Sequence, residues 1–254
     1  ATDCLAMVDL YEGDQRALPI VQGIMGIAET ERDRPANTLP VPSATHESTA
    51  AAFRAAIEAE RTTDAQAYVL AAIERGDGAD DLRPWFTSVV SDHHLSYGHG
   101  AIYSQKAFEL LDMIGWDRAA TVLPHLVPTL VYGTREDKLP YMRPFMKALA
   151  GIDLAAIADI APAAGWSDGG SLLAALLGDR RSAPVEATVA ALRSGASVDD
   201  VLDIVVQAVS ERMLRYDVAG EFDFADDFGW LDITHGLTYA NAVRWHHANA
   251  VAEG

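Results

Sequence analysis

Apolar residues in this chain recur at intervals of three and four, and β-branched runs that alternate with polar residues are scarce. A repeat near 3.6 lines up one face of a helix, whereas a half-buried strand needs a repeat of two. The pattern predicts an all-α fold, a multi-helix bundle or a stack of helix pairs. With no evident linker, it predicts a single domain over residues 1–254, allowing a minor break near Gly151.

Helix punctuation supports this reading. Leu18, Val21, Ile24, Met25 and Ile27 keep helical spacing through 14–33, and Pro19 falls in the first turns, where a missing N–H is tolerated. The prolines of 34–42 mark a loop. Ser43 is expected to cap a helix running to Arg61, and Thr63 or Asp64 to cap one that Gly76 ends. Further helices are expected over 82–93, 99–114 and 140–150. The segment 116–131 should be two short helices or a kinked one, because Pro124 and Pro128 interrupt it. Glycine-rich breaks then separate short helices at 154–160, 172–177 and 185–193. A long amphipathic helix starts at Ser197, a loop rich in Asp and Phe occupies 218–228, and a last helix spans 231–252.

Composition narrows the function. The 254 residues carry 19 Lys and Arg against 37 Asp and Glu, a net charge of −18. Phosphate binding needs a basic footprint, so nucleic acid is not an expected partner, and an anionic membrane surface would repel the chain. No apolar run approaches the roughly 18–20 residues of a membrane helix. The start, Ala1-Thr2-Asp3, lacks a basic stretch followed by an apolar one, so a cytoplasmic location is the expectation. A lone cysteine, Cys4, excludes an intramolecular disulfide and a cysteine zinc cluster. No phosphate-cradling glycine loop, dinucleotide fingerprint, nucleophile elbow or H-E-x-x-H zinc motif is present.

Histidine remains. Of the eight, His46 sits early in one expected helix, His93 and His94 end another, His99 begins the next and His235 begins the last. Neutral imidazole suits iron, copper and zinc, and a bundle can aim ligands inward from several helices. Histidines distributed in this way are candidate metal ligands. Gly98 permits a tight bend between His93 and His99. Tyr103, four residues after His99, shares its helix face, as does Lys106. Asp232, three before His235, is placed to accept from that ring's free N–H and so hold its tautomer. His125 reads as structural, and His246 and His247, in the last turns, as solvated.

The block Asp92-His93-His94-Leu95-Ser96-Tyr97-Gly98-His99-Gly100-Ala101-Ile102-Tyr103, continuing from Lys106 to Trp116, resembles the helical part of bacterial Rieske-domain proteins. The likeness continues through Thr134-Arg135-Glu136-Asp137-Lys138-Leu139-Pro140-Tyr141 and resumes at Leu231-Asp232-Ile233-Thr234-His235-Gly236-Leu237-Thr238-Tyr239. More distantly, the histidine-bearing helices are similar to the questin-oxidase-like oxygenases. That resemblance implies a mononuclear non-haem iron held by several histidines, at His99 and His235, then His93, then His46. The lysine of some members has no counterpart before His235, where Arg212 and Arg215 stand. With one cysteine, the chain itself lacks the Rieske cluster ligands.

Two functions follow as expectations. One is an iron oxidoreductase or oxygenase that uses O2 on an aromatic, polyketide-like small molecule, with Tyr103 and Asp232 assisting and a redox partner protein supplying electrons. The other is a non-catalytic helical module that docks a redox partner or binds a small ligand. A zinc hydrolase is a third reading of the same histidines.

Overall fold

Thirteen α-helices and no strand occur among the described residues of the computed structural model, which describes residues 1–33, 42–45, 48–222 and 229–249. The all-α fold expected from the helical period is the fold observed. Among the described residues no helix is long and apolar enough to cross a membrane. The chain forms two compact units, one from residues 1–92, 100–133 and Asn249, the other from 93–99 and 134–248. Gly151 lies inside the second.

The first unit contains α1 (Thr2–Ala6), α2 (Ala17–Glu31), α3 (Ala50–Glu58), α4 (Thr62–Arg75), α5 (Ala79–Asp92), α6 (His99–Ile114, from Gly100 onward) and α7 (Ala119–Tyr132). Its core is aromatic. Phe53 of α3, Phe86 of α5 and Phe108 of α6 are fully buried. The Phe53 and Phe86 ring centres lie 5.1 Å apart, and those of Phe86 and Phe108 5.5 Å apart and nearly perpendicular. Each such ring contributes about 1.5–3 kcal/mol by leaving water. Helix α3 starts at Ala50 rather than just after Ser43, because the Thr49 hydroxyl accepts the Ala52 N–H at 3.1 Å and caps it there. Gly76 ends α4 in the left-handed conformation, as the spacing predicted.

Helix α7 runs through both prolines as one element, after a 3₁₀ turn at Trp116–Arg118. Pro128 cannot donate to the Pro124 carbonyl, so that acceptor lacks its helical partner. The buried Gln66 side chain of α4 donates to it instead, at 2.9 Å. The packing of α4 against α7 thus satisfies what the proline leaves open.

The second unit contains α8 (Arg143–Leu149), α9 (Leu154–Ala158), α10 (Ser171–Leu177), α11 (Ala183–Arg193), α12 (Val198–Arg215) and α13 (Trp230–Ala248). Pro144 is no obstacle, because α8 begins at Arg143 and the proline occupies its first turn. Leu172, Ala191, Ala196 and Val201 form a small core, flanked by Trp166 and Ile204. Ser197 and Asp200 build a full capping box that starts α12: each side chain accepts from the other's backbone N–H, at 3.0 and 2.8 Å. Helix α13 packs along α12. On α13, His246 is 5% exposed and packs edge-on against Trp245, not solvated as its terminal position suggested. The part of the expected last helix beyond 249, and most of the 218–228 loop, lie outside the described residues.

Candidate functional site

The site lies in the second unit and starts from a strained turn. Leu95 forms an isolated antiparallel bridge with Arg135. Around it the Ser96 N–H donates to the Thr134 carbonyl at 2.8 Å, and the Glu136 N–H to the His94 carbonyl at 2.9 Å. The Ser96 hydroxyl accepts from the Thr134 N–H at 2.8 Å. Three successive residues then take positive φ: Ser96 (46°), Tyr97 (56°) and Gly98 (89°). Only the last is free of a Cβ, and each of the other two costs about 1–2 kcal/mol in this region. The bridge hydrogen bonds hold the turn against that cost. A side chain at Gly98 would also overlap Tyr239, whose Cβ would lie 2.9 Å from the added carbon.

The turn delivers His99 to His235 near the start of α13. Their Nε2 atoms lie 3.0 Å apart, with ring planes at 78°. The His235 Nδ1 lies 2.6 Å from the Leu231 carbonyl oxygen. A carbonyl only accepts, so Nδ1 carries the proton and Nε2 of His235 presents its lone pair toward His99. Burial, and then the neighbouring His235, lower the pKa of His99, which favours its neutral ring. The Tyr97 ring lies 6.0 Å from the His235 ring and is 55% exposed, so one flank is an open aromatic wall.

Behind the same turn, His94 stacks on Tyr239 with ring centres 4.8 Å apart. Burial lowers the His94 pKa, opposed by the charges of Glu136 and Asp137. Its Nε2 is buried and has no hydrogen-bond partner among the described residues. Glu136 is 2% exposed and accepts a hydrogen bond from the Tyr141 hydroxyl. Burial, and then that bond, push the Tyr141 ionisation upward. Arg135 grips Asp137 through two bonds of 2.9 and 2.7 Å and holds its carboxyl below the usual range, assisted by the charge of His93.

The candidate residues therefore have different fates. His99 and His235 come together. His93 stands near Asp137, and among the described residues no group of three or more His, Cys, Asp or Glu side chains is placed to hold a metal. His46 lies outside the described residues. Tyr103 belongs to the first unit and is 47% exposed. The tautomer-holding role expected of Asp232 falls to the Leu231 carbonyl. The Asp232 carboxylate turns back to accept the Gly229 N–H at 2.9 Å, as a side chain at a helix start commonly does. Glu136 and Tyr141 were not singled out as candidates. Glu136 sits between Arg135 and Asp137, and nothing in that charged run marks it as buried.

Two imidazole nitrogens bound to one metal at about 2.1 Å and at right angles would lie about 3.0 Å apart. The pair therefore fits two adjacent positions of a coordination sphere, as well as a direct hydrogen bond. No protein-family model, curated protein or solved structure matches the chain.

Proposed function

We propose that the second unit serves a non-haem iron oxidoreductase of the cytoplasm that uses dioxygen on an aromatic small molecule, with a redox partner protein supplying electrons. The observation that carries this reading is the convergence of the His99 and His235 Nε2 atoms at 3.0 Å. His99 and His235 would hold the metal, and water or substrate would fill the positions they leave. When bound, the metal supplies redox chemistry toward dioxygen. The chain's own residues prepare the place. The Leu231 carbonyl keeps the proton on His235 Nδ1 and leaves the Nε2 lone pair available to a metal. The depressed pKa of His99 keeps its ring unprotonated at neutral pH. Tyr97 offers a ring face on which an aromatic substrate can stack.

Anaerobic titration with Fe(II), followed by calorimetry, tests the reading. About one iron should bind per chain, and His99→Ala and His235→Ala should each weaken binding tenfold or more while helicity stays near normal. Wild-type protein that takes up no Fe(II) would remove the iron proposal. That result would favour a non-catalytic module that binds a small ligand or docks a redox partner, because a 3.0 Å separation equally suits a proton shared between the rings.

A further inference from the structure

Helix α2 is the least explained element of the first unit. It spans 15 residues, and its buried residues are Pro19 and Gly23, which lie on one side. At 100° per residue the other side carries Leu18, Val21 and Met25 in one stripe and Ile20, Ile24 and Ile27 in the next. Together they fill about half the helix circumference. These six are between 39% and 61% exposed. A surface this apolar and continuous marks a binding face.

We infer that this face pairs with α2 of a second copy of the chain, across a two-fold axis. Two observations favour a second copy. With Met7 and Leu10 of the 3₁₀ turn Met7–Leu10, which packs against α2, the exposed apolar surface is on the order of 800 Å², the share each partner gives a standard stable interface. No charged residue occurs from Ala17 to Ala28, so two copies of charge −18 meet there without local repulsion. The flanking charges are already paired within the chain, Arg16 with Asp9 and Glu29 with Arg32, so they add no repulsion between copies. An anionic lipid surface fits poorly, since Asp3, Asp9, Glu12 and Asp14 precede the helix and an interfacial helix favours cations.

Sedimentation equilibrium of the full chain tests the inference at about 100 μM, well above a micromolar dissociation constant. The expected mass is about twice the 27.3 kDa of one chain. The double variant Val21→Glu, Met25→Glu should halve that mass with unchanged helix content, because both positions are at least half exposed in the single chain. Val21→Gln, Met25→Gln should act alike and guards against misfolding of the charged variant. Iron uptake at His99 and His235 should not change in either, which separates this inference from the metal proposal. A wild type of 27.3 kDa, a dimer that persists in both double variants, or a monomer that floats with phosphatidylserine vesicles would each overturn it.

Discussion

The two units treat buried polarity in opposite ways. In the first, the core is three interlocked phenylalanine rings, and a buried polar group such as Gln66 serves backbone satisfaction at Pro124. In the second, buried or half-buried titratable groups gather around one turn: His94, His99, Glu136, Asp137 and His235. A hydrophobic core stabilises whatever its exact arrangement, provided volume is kept. Groups that ionise must be positioned, and positioning here draws on strained backbone at Ser96 and Tyr97. An aromatic core therefore marks one unit, and a positioned cluster of titratable groups the other.

The largest effect that would sharpen this contrast is Phe86→Ala. Truncating a ring packed against Phe53 and Phe108 should cost about 3–5 kcal/mol in denaturant unfolding. A loss under 1 kcal/mol, roughly the scale of a surface change, would contradict the assigned core. Gly98→Ala comes next. It adds a Cβ where φ is 89° and where Tyr239 leaves no room, and should cost about 2–4 kcal/mol. Because the same turn aims His99, Gly98→Ala should also weaken Fe(II) uptake, an effect Phe86→Ala should not share while the protein remains folded. Equal effects of the two variants on uptake would erase the contrast.

The smallest effect is in pH dependence. Burial lowers the His94 pKa in the folded protein, so the unfolded chain takes up its proton first. Stability should fall as pH drops below the ordinary imidazole value of 6.5 and level off once pH passes the lower folded value. His94→Phe keeps the stack on Tyr239 and removes the proton site, so its unfolding free energy should vary less between neutral and mildly acid pH. An unchanged slope would show that His94 titrates alike in both states.

Much of the fold is legible in the chain. The 3.6 period, the Ser197 capping box and Gly76 mark helices that the structure contains, because each acts through near neighbours in sequence. Proline was harder to place. Pro128 suggests a break until Gln66, 58 residues before Pro124, is seen to donate to the freed carbonyl. Similarly, the sequence points to Ser43 as the cap, and only the fold shows that the Thr49 hydroxyl reaches an amide and starts the helix there.

The site divides along the same line. Helix pattern set His99 and His235 each near a helix start, and the resemblance ranked them ahead of His93 and His46 as candidates. Asp232 showed its limit, since three residues of spacing allow a contact with His235 that the carboxylate gives up for the Gly229 amide. Tertiary structure alone decided that two rings 136 residues apart meet at 3.0 Å, that Glu136 is buried between two charged neighbours, and that the apolar side of α2 stays exposed among the described residues. Sequence periodicity reports which face of a helix is apolar. What that face or an imidazole lies against depends on long-range packing, which no local pattern encodes.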